Sequence, residues 1–245
     1  ELRAQGVESI RIVERGAELR AIGTIDEPIT FTPRGLNDAD ATSASGWGGL
    51  ILMGNAPVAA EELPTSACWD AASLPAVPYG EDGDGVQSSG ELRYVRVWHA
   101  QRGIALYGVS NETMVDHCEV VASHSDGFVL HGGTADVRHL STLSAKAAGF
   151  RMRAGFRGRG QFLFAMLGDE GGVALSLGPE AANESYTDSP SLRPLLYSLT
   201  LIGGGDTDRL VQLGPRVASG GMVGDAVLVI GSRVQGPNTG GLELH

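Results

Sequence analysis

The sequence predicts an all-β chain wound as a right-handed parallel β-helix (β-solenoid) of about 22–24 residues per coil. Three observations predict it. A Gly-apolar-x-apolar motif recurs as GIAL at 103–106, GFVL at 127–130, GFRM at 149–152 and GVAL at 172–175, with glycine spacings of 24, 22 and 23. Each copy follows a second strand-like run, such as LRYVRVW (92–98), MVDHCEVV (114–121), VRHLSTL (137–143) and QFLFAML (161–167). Glycine accounts for 36 of 245 residues with no Gly-X-Y period, and helical periodicity is almost absent, so the glycines mark turns between strands. A β-sandwich has regular turns too, but gives no reason for one motif to recur at this period. Stacked coils do, because no coil buries its apolar face alone.

The elements follow in order. IRIVERGAELRAIGT (10–24) and PITFTP (28–33) alternate with period 2, and GGLILMG (48–54) is an apolar strand. The loop 57–85 is long enough that it is expected to pack along the solenoid, with a short helix at AAEEL. In each motif Gly is expected to turn a corner whose φ other residues resist. The pairs Ile104/Leu106, Phe128/Leu130, Phe150/Met152, Val173/Leu175 and Leu242/Leu244 are then expected to point inward, with Ala105, Val129, Arg151, Ala174 and Glu243 outward. LLYSLTLI (195–202), RLVQL (209–213) and AVLVIGS (226–232) continue the array after a second insertion at 179–194. One domain over 1–245 is expected. Solenoid ends expose strand edges, so both ends of the chain are expected docking places. The chain opens at Glu1 without Met and reads as a processed or trimmed segment.

A net charge of −11 argues against general nucleic-acid binding, which needs a cationic footprint. No apolar run approaches a membrane span. Cys68 and Cys118 show no metal-type spacing and are equally consistent with one disulfide or two separate buried thiols.

GTIDEPITFTP (23–33), GWGGLILMGNAPV (46–58), YGEDGDGVQSSGELRYVRVWHA (79–100) and SPSLRPLLYSLTLIG (189–203) stand in an order that resembles the bacterial parallel β-helix proteins of surface lipoproteins and secreted, type IX-sorted proteins. The resemblance covers most of the chain. It implies the fold and an exported location, extracellular, at the cell surface or periplasmic, and implies almost nothing about chemistry. One departure stands out. Where that family often carries acids, this chain reads AKAAGFRMRAGFRGRGQF (145–162), with alanines and the four arginines Arg151, Arg153, Arg157 and Arg159.

Four features carry candidate chemistry. Tyr107, His131, Arg153 and Ser176 repeat at coil spacing on one outward face beside Arg151. Arginine there suits bidentate recognition of carboxylates, as in an enzyme cutting acidic polysaccharide, although no acid cluster accompanies it. An ordinary solvated sheet face is the preferred reading. EDGDG (81–85) offers Glu81, Asp82 and Asp84 to Ca²⁺, the one cofactor considered, against the simpler reading of a polar turn. His99, His117, His124, His131 and His139 fall within 41 residues without a metal-binding spacing, and are read as surface or turn residues. The arginine stripe 151–159 is a candidate surface for an anionic glycan or an acidic protein. No Gly-x-Ser-x-Gly nucleophile motif is present. The leading expectation is a non-catalytic exported scaffold or binding subunit for a protein or glycan partner. The alternative is a pectate-lyase-like carbohydrate-active enzyme acting on acidic polysaccharide with His131, Arg151, Arg153 and nearby acids.

Overall fold

The structure is a computed structural model that describes residues 2–4, 10–33, 47–59, 79–80, 87–178, 192–203, 208–214 and 227–230. Every strand pairing in it is parallel. The strands form two sheets around one core, a right-handed parallel β-helix. The seven-stranded sheet contains β2 (Ile10–Val13), β5 (Gly49–Met53), β8 (Ile104–Tyr107), β10 (Phe128–His131), β12 (Ala148–Arg153), β14 (Val173–Leu177) and β16 (Arg209–Leu213). The ten-stranded sheet contains β1 (Leu2–Ala4), β3 (Leu19–Ile22), β4 (Ile29–Pro33), β6 (Gly90–Arg93), β7 (Val95–Trp98), β9 (Met114–Val121), β11 (Asp136–Leu143), β13 (Arg159–Met166), β15 (Leu195–Ile202) and β17 (Val227–Ile230). The run 10–24 is two strands, β2 and β3, separated by a turn at Gly16.

Inward ladders form as the alternation requires. Ile104, Phe128 and Phe150 pair in register, as do Leu106, Leu130 and Met152, and all six lie in the main core. Phe128 and Phe150 stack 5.3 Å apart, close to the coil rise. The fourth coil corrects the sequence alignment. Phe150 pairs with Leu175 and Met152 with Leu177, two residues beyond the expected partners. A slip of two keeps the same face inward, so the core survives it. Ala174, expected outward, instead follows Gly103, Gly127 and Gly149 on the inner corner and lies in the main core. Ser176 consequently stands level with Arg151, not Arg153.

The reason for those glycines also differs from the expectation. Gly103, Gly127 and Gly149 do not have positive φ. They are places of close approach: a Cβ on Gly103 would lie 2.1 Å from the Gly127 carbonyl oxygen and 2.6 Å from the Val120 side chain. Left-handed residues fall elsewhere in each coil: one series runs through Tyr94, His117, His139, Phe162 and Ser198, with φ between 49° and 57°, and a second through His99, Ala122 and Ser144. The first series creases the ten-stranded sheet within its paired strands. A left-handed residue resets the in–out alternation, so Val115 and Cys118 both point into the core while Asp116 and His117, between them, both lie outside it. The same holds for Arg138 and His139 between Val137 and Leu140.

The acids Glu81, Asp82 and Asp84, Cys68, Leu242 to Leu244, and all but the first residue of the helix expected at AAEEL lie outside the described residues. Cys118 is a free, buried thiol, and burial pushes its pKa up to about 12. Among the described residues no helix is long and apolar enough to cross a membrane.

Candidate functional site

The outer face of the seven-stranded sheet holds Tyr107, His131 and Arg153 in register, with Val129 and Arg151 two residues earlier. Side-chain alternation places them there, but this face is not solvated as expected. Tyr107 and His131 are each 1% exposed and Arg151 7%. A strap covers them. Ala56 N–H donates to the Gly108 carbonyl, Gly133 N–H to the Pro57 carbonyl, and Ala59 N–H to the Ala154 carbonyl. Residues 56–59 thus climb across three coils, and Gly80 N–H ties back to the Gly54 carbonyl. Ile51, Met53, Tyr79, Ala105, Tyr107 and Val129 form a second apolar cluster under this cover. The Tyr79 ring meets Tyr107 edge-on at 5.0 Å and His131 at 5.7 Å. Gly132 is needed at the strap crossing: its φ is +63°, and a Cβ would lie 2.6 Å from Val58.

The charged groups here are paired internally. Arg151 donates from Nε to Asp126 Oδ1 at 2.9 Å, and its Nη2 lies 2.9 Å from the same oxygen. Ala148 N–H donates to it at 3.1 Å. Arg153 Nε donates to His131 Nδ1 at 3.1 Å, which requires the neutral imidazole. Burial, and secondarily the Arg153 charge, hold His131 well below its ordinary pKa. Folding therefore excludes the charged form, and the unfolded chain binds more protons below about pH 6.5. We expect stability against urea to fall as pH drops below that value, and His131→Gln to flatten this dependence. An unchanged pH slope in the variant would refute the assignment to His131.

The arginine stripe does not form one patch. Arg151 and Arg153 lie under the strap, Arg157 is exposed in the connection between β12 and β13, and Arg159 sits on the other sheet. Arg159 donates from Nε to Asp136 Oδ2 at 3.0 Å and from Nη2 to the same oxygen. Adjacent residues of an extended strand face opposite ways, and a turn separates the two sheets, so sequence proximity did not become spatial proximity.

The second site was not recognised from sequence. Two of the histidines read as surface or turn residues converge at the crease of the ten-stranded sheet. His139 Nδ1 is hydrogen-bonded to Asp116 Oδ1 at 2.8 Å. His117 Nδ1 lies 2.9 Å from the same oxygen but is not aligned for a hydrogen bond. Arg138 Nη2 stands 3.4 Å from Asp116 Oδ2. Burial pushes the Asp116 carboxyl pKa up, but the His139 hydrogen bond and the charges of His117, Arg138 and His139 outweigh it and leave the pKa lowered. The imidazoles stack at 4.2 Å, and the stack continues to Tyr94 on one side and Phe162 on the other. Beside it runs a groove of about 570 Å³, lined by Glu112, Asp136, Arg138, Arg159, Gln161 and Tyr197 among others. The signal that could have found this cluster is the recurrence of an aromatic or His at one place per coil: Tyr94, His117, His139, Phe162.

A single-core, all-parallel coil with a creased sheet and a covered sheet defines a parallel β-helix domain. Residues 2–232 match the pectate-lyase like beta helix domain family, and the chain belongs to that family. It matches none of the curated proteins and none of the solved structures at a significant level.

Proposed function

We propose that this domain is a non-catalytic binding scaffold of an exported protein and that its ligand is another protein. The observation that carries this reading is the strap. The face on which Tyr107, His131, Arg151 and Arg153 would meet a polysaccharide is closed by residues 54–59 and 79–80, with Tyr79 packed on it. Arg151 and Arg159 are matched by Asp126 and Asp136, and the whole chain is acidic, which disfavours an anionic glycan. The open groove beside β9, β11 and β13 carries both charge signs and a tyrosine, a composition suited to a protein partner. Export rests on the sequence resemblance. The lyase-like alternative draws on family membership and on the His131–Arg153 pair.

The test has two arms. Polygalacturonate and alginate are incubated with the wild-type chain and with His131→Ala, and unsaturated products are measured. No turnover is expected; turnover that disappears in His131→Ala would establish the enzyme reading instead. In parallel, complexes purified from the source are compared for the wild type and Tyr197→Ala, with native mass spectrometry as the readout. A partner retained equally by both would remove the groove from the proposal.

A further inference from the structure

We infer that Asp116, His117 and His139 form a binding site for a divalent transition-metal ion such as Zn²⁺ at the crease of the ten-stranded sheet. The site lies on a different sheet from the strap-covered face and does not depend on the function proposed above. The three residues each present one ligand atom, and these atoms lie within 4.8 Å of one another.

The argument begins with the ladder itself. Tyr94, His117, His139 and Phe162 occupy the same left-handed corner in four successive coils and stack on one another. Tyrosine and phenylalanine satisfy that stack without any ring nitrogen, so stacking alone does not call for histidine. One histidine, His117, follows the buried carboxylate Asp116 in its own coil, and the other, His139, comes from the next coil; the Asp116 side chain is 8% exposed. The crease is what makes this possible, because it turns Asp116 and His117 outward together while its neighbour coil supplies His139.

The distances also suit an ion. Asp116 Oδ1 stands 2.8 Å from His139 Nδ1 and 2.9 Å from His117 Nδ1. Donors about 2.0–2.1 Å from a tetrahedral Zn²⁺ stand about 3.3–3.4 Å apart, so each of these two pairs needs to spread by only about half an ångström to admit the ion. Without metal, His139 Nδ1 carries the proton it donates to Asp116, so ion binding displaces that proton, to Nε2 or to solvent, before the nitrogen becomes a ligand; His117 Nδ1 is buried without a hydrogen-bond partner. The rings are inclined by only 23°, so their lone pairs run side by side. Binding therefore includes a rotation of the His117 ring, the one that no hydrogen bond fixes, to bring its nitrogen onto the ion. Two imidazoles and a carboxylate favour Zn²⁺, Ni²⁺ or Cu²⁺ over Ca²⁺ or Mg²⁺. Both rings are partly exposed, which leaves the remaining coordination positions to water. Arg138 competes for the other carboxylate oxygen and opposes the ion's charge.

The test is calorimetric titration of the full chain with ZnCl₂ and, separately, CaCl₂. One saturable Zn²⁺ equivalent and no Ca²⁺ binding at this cluster are expected. His117→Phe and His139→Phe keep the stack, as Phe162 shows is possible, and each is expected to weaken Zn²⁺ binding at least about tenfold, a loss that even outer-shell changes produce. Arg138→Gln should tighten binding, and His124→Gln should leave it unchanged. Melting curves without metal confirm that the Phe variants remain folded. Absence of saturable Zn²⁺ binding in the wild type, wild-type affinity retained in either Phe variant, or loss of binding in His124→Gln would each overturn the inference.

Discussion

Asp126→Ala is expected to destabilise the domain by about 3–5 kcal/mol, the cost of removing one partner from a buried ion pair. Asp126 and Arg151 are both nearly inaccessible, at 5% and 7% exposure. One carboxylate oxygen receives Arg151 Nε, lies 2.9 Å from Nη2, and also accepts the Ala148 N–H. The substitution therefore removes an acceptor from a guanidinium and from a backbone donor in the next coil, in surroundings where water cannot fully replace it. Two more variants separate the ion pair from the backbone bond. Asp126→Asn keeps an oxygen acceptor and should lose less. Asp126→Leu combined with Arg151→Met should recover much of the loss, because a buried pair is often replaceable by apolar residues of similar volume. Chemical denaturation of the four proteins checks the order. An Asp126→Ala loss below about 1 kcal/mol would mean that the pair is effectively solvated.

Gly103→Ala is expected to cost about 3 kcal/mol or more, at or above the upper end of ordinary overpacking. The new Cβ would meet the Gly127 carbonyl oxygen at 2.1 Å and two Val120 methyls at 2.6 and 2.9 Å. The oxygen belongs to the backbone of the next coil, so relief requires a coil to move, and Ile104 N–H already donates to that carbonyl. The reverse change three coils on, Ala174→Gly, should cost only about 0.5–1 kcal/mol, the ordinary penalty for glycine in a strand. Ala174 stands where Gly103 stands in its own coil, which shows that the position accepts a Cβ when the neighbouring coil leaves room. Thermal unfolding of both variants tests the contrast. Equal losses would mean that backbone entropy, not close approach, explains the glycines.

The candidate sites were less legible in the sequence than the fold. The Gly-apolar-x-apolar period exposed the coils because inward positions obey a local alternation that any reader of the chain can follow. The outward positions obey the same alternation, and Tyr107, His131, Arg151 and Arg153 were placed on the right face. Their burial was not legible, because it depends on a strap from residues 54–59 and 79–80 that returns across three coils. The cluster of Asp116, His117 and His139 was missed for a related reason. Counting spacings along one strand cannot show that 116 and 139 meet, since they are separated by a whole coil. Nor does the alternation rule foresee that 116 and 117 share a face, since a left-handed residue at 117 breaks it.

The sequence by itself determined the all-β class, the parallel coil, its period and most of its inward ladder, because these follow from side-chain periodicity and stacking neighbours. Tertiary structure alone decided the register of the fourth coil, the closure of one sheet face and the convergence of two histidines on one carboxylate. Each of these depends on which coil lies beside which, and on backbone corners set by packing between coils, not by the residues flanking them in the chain.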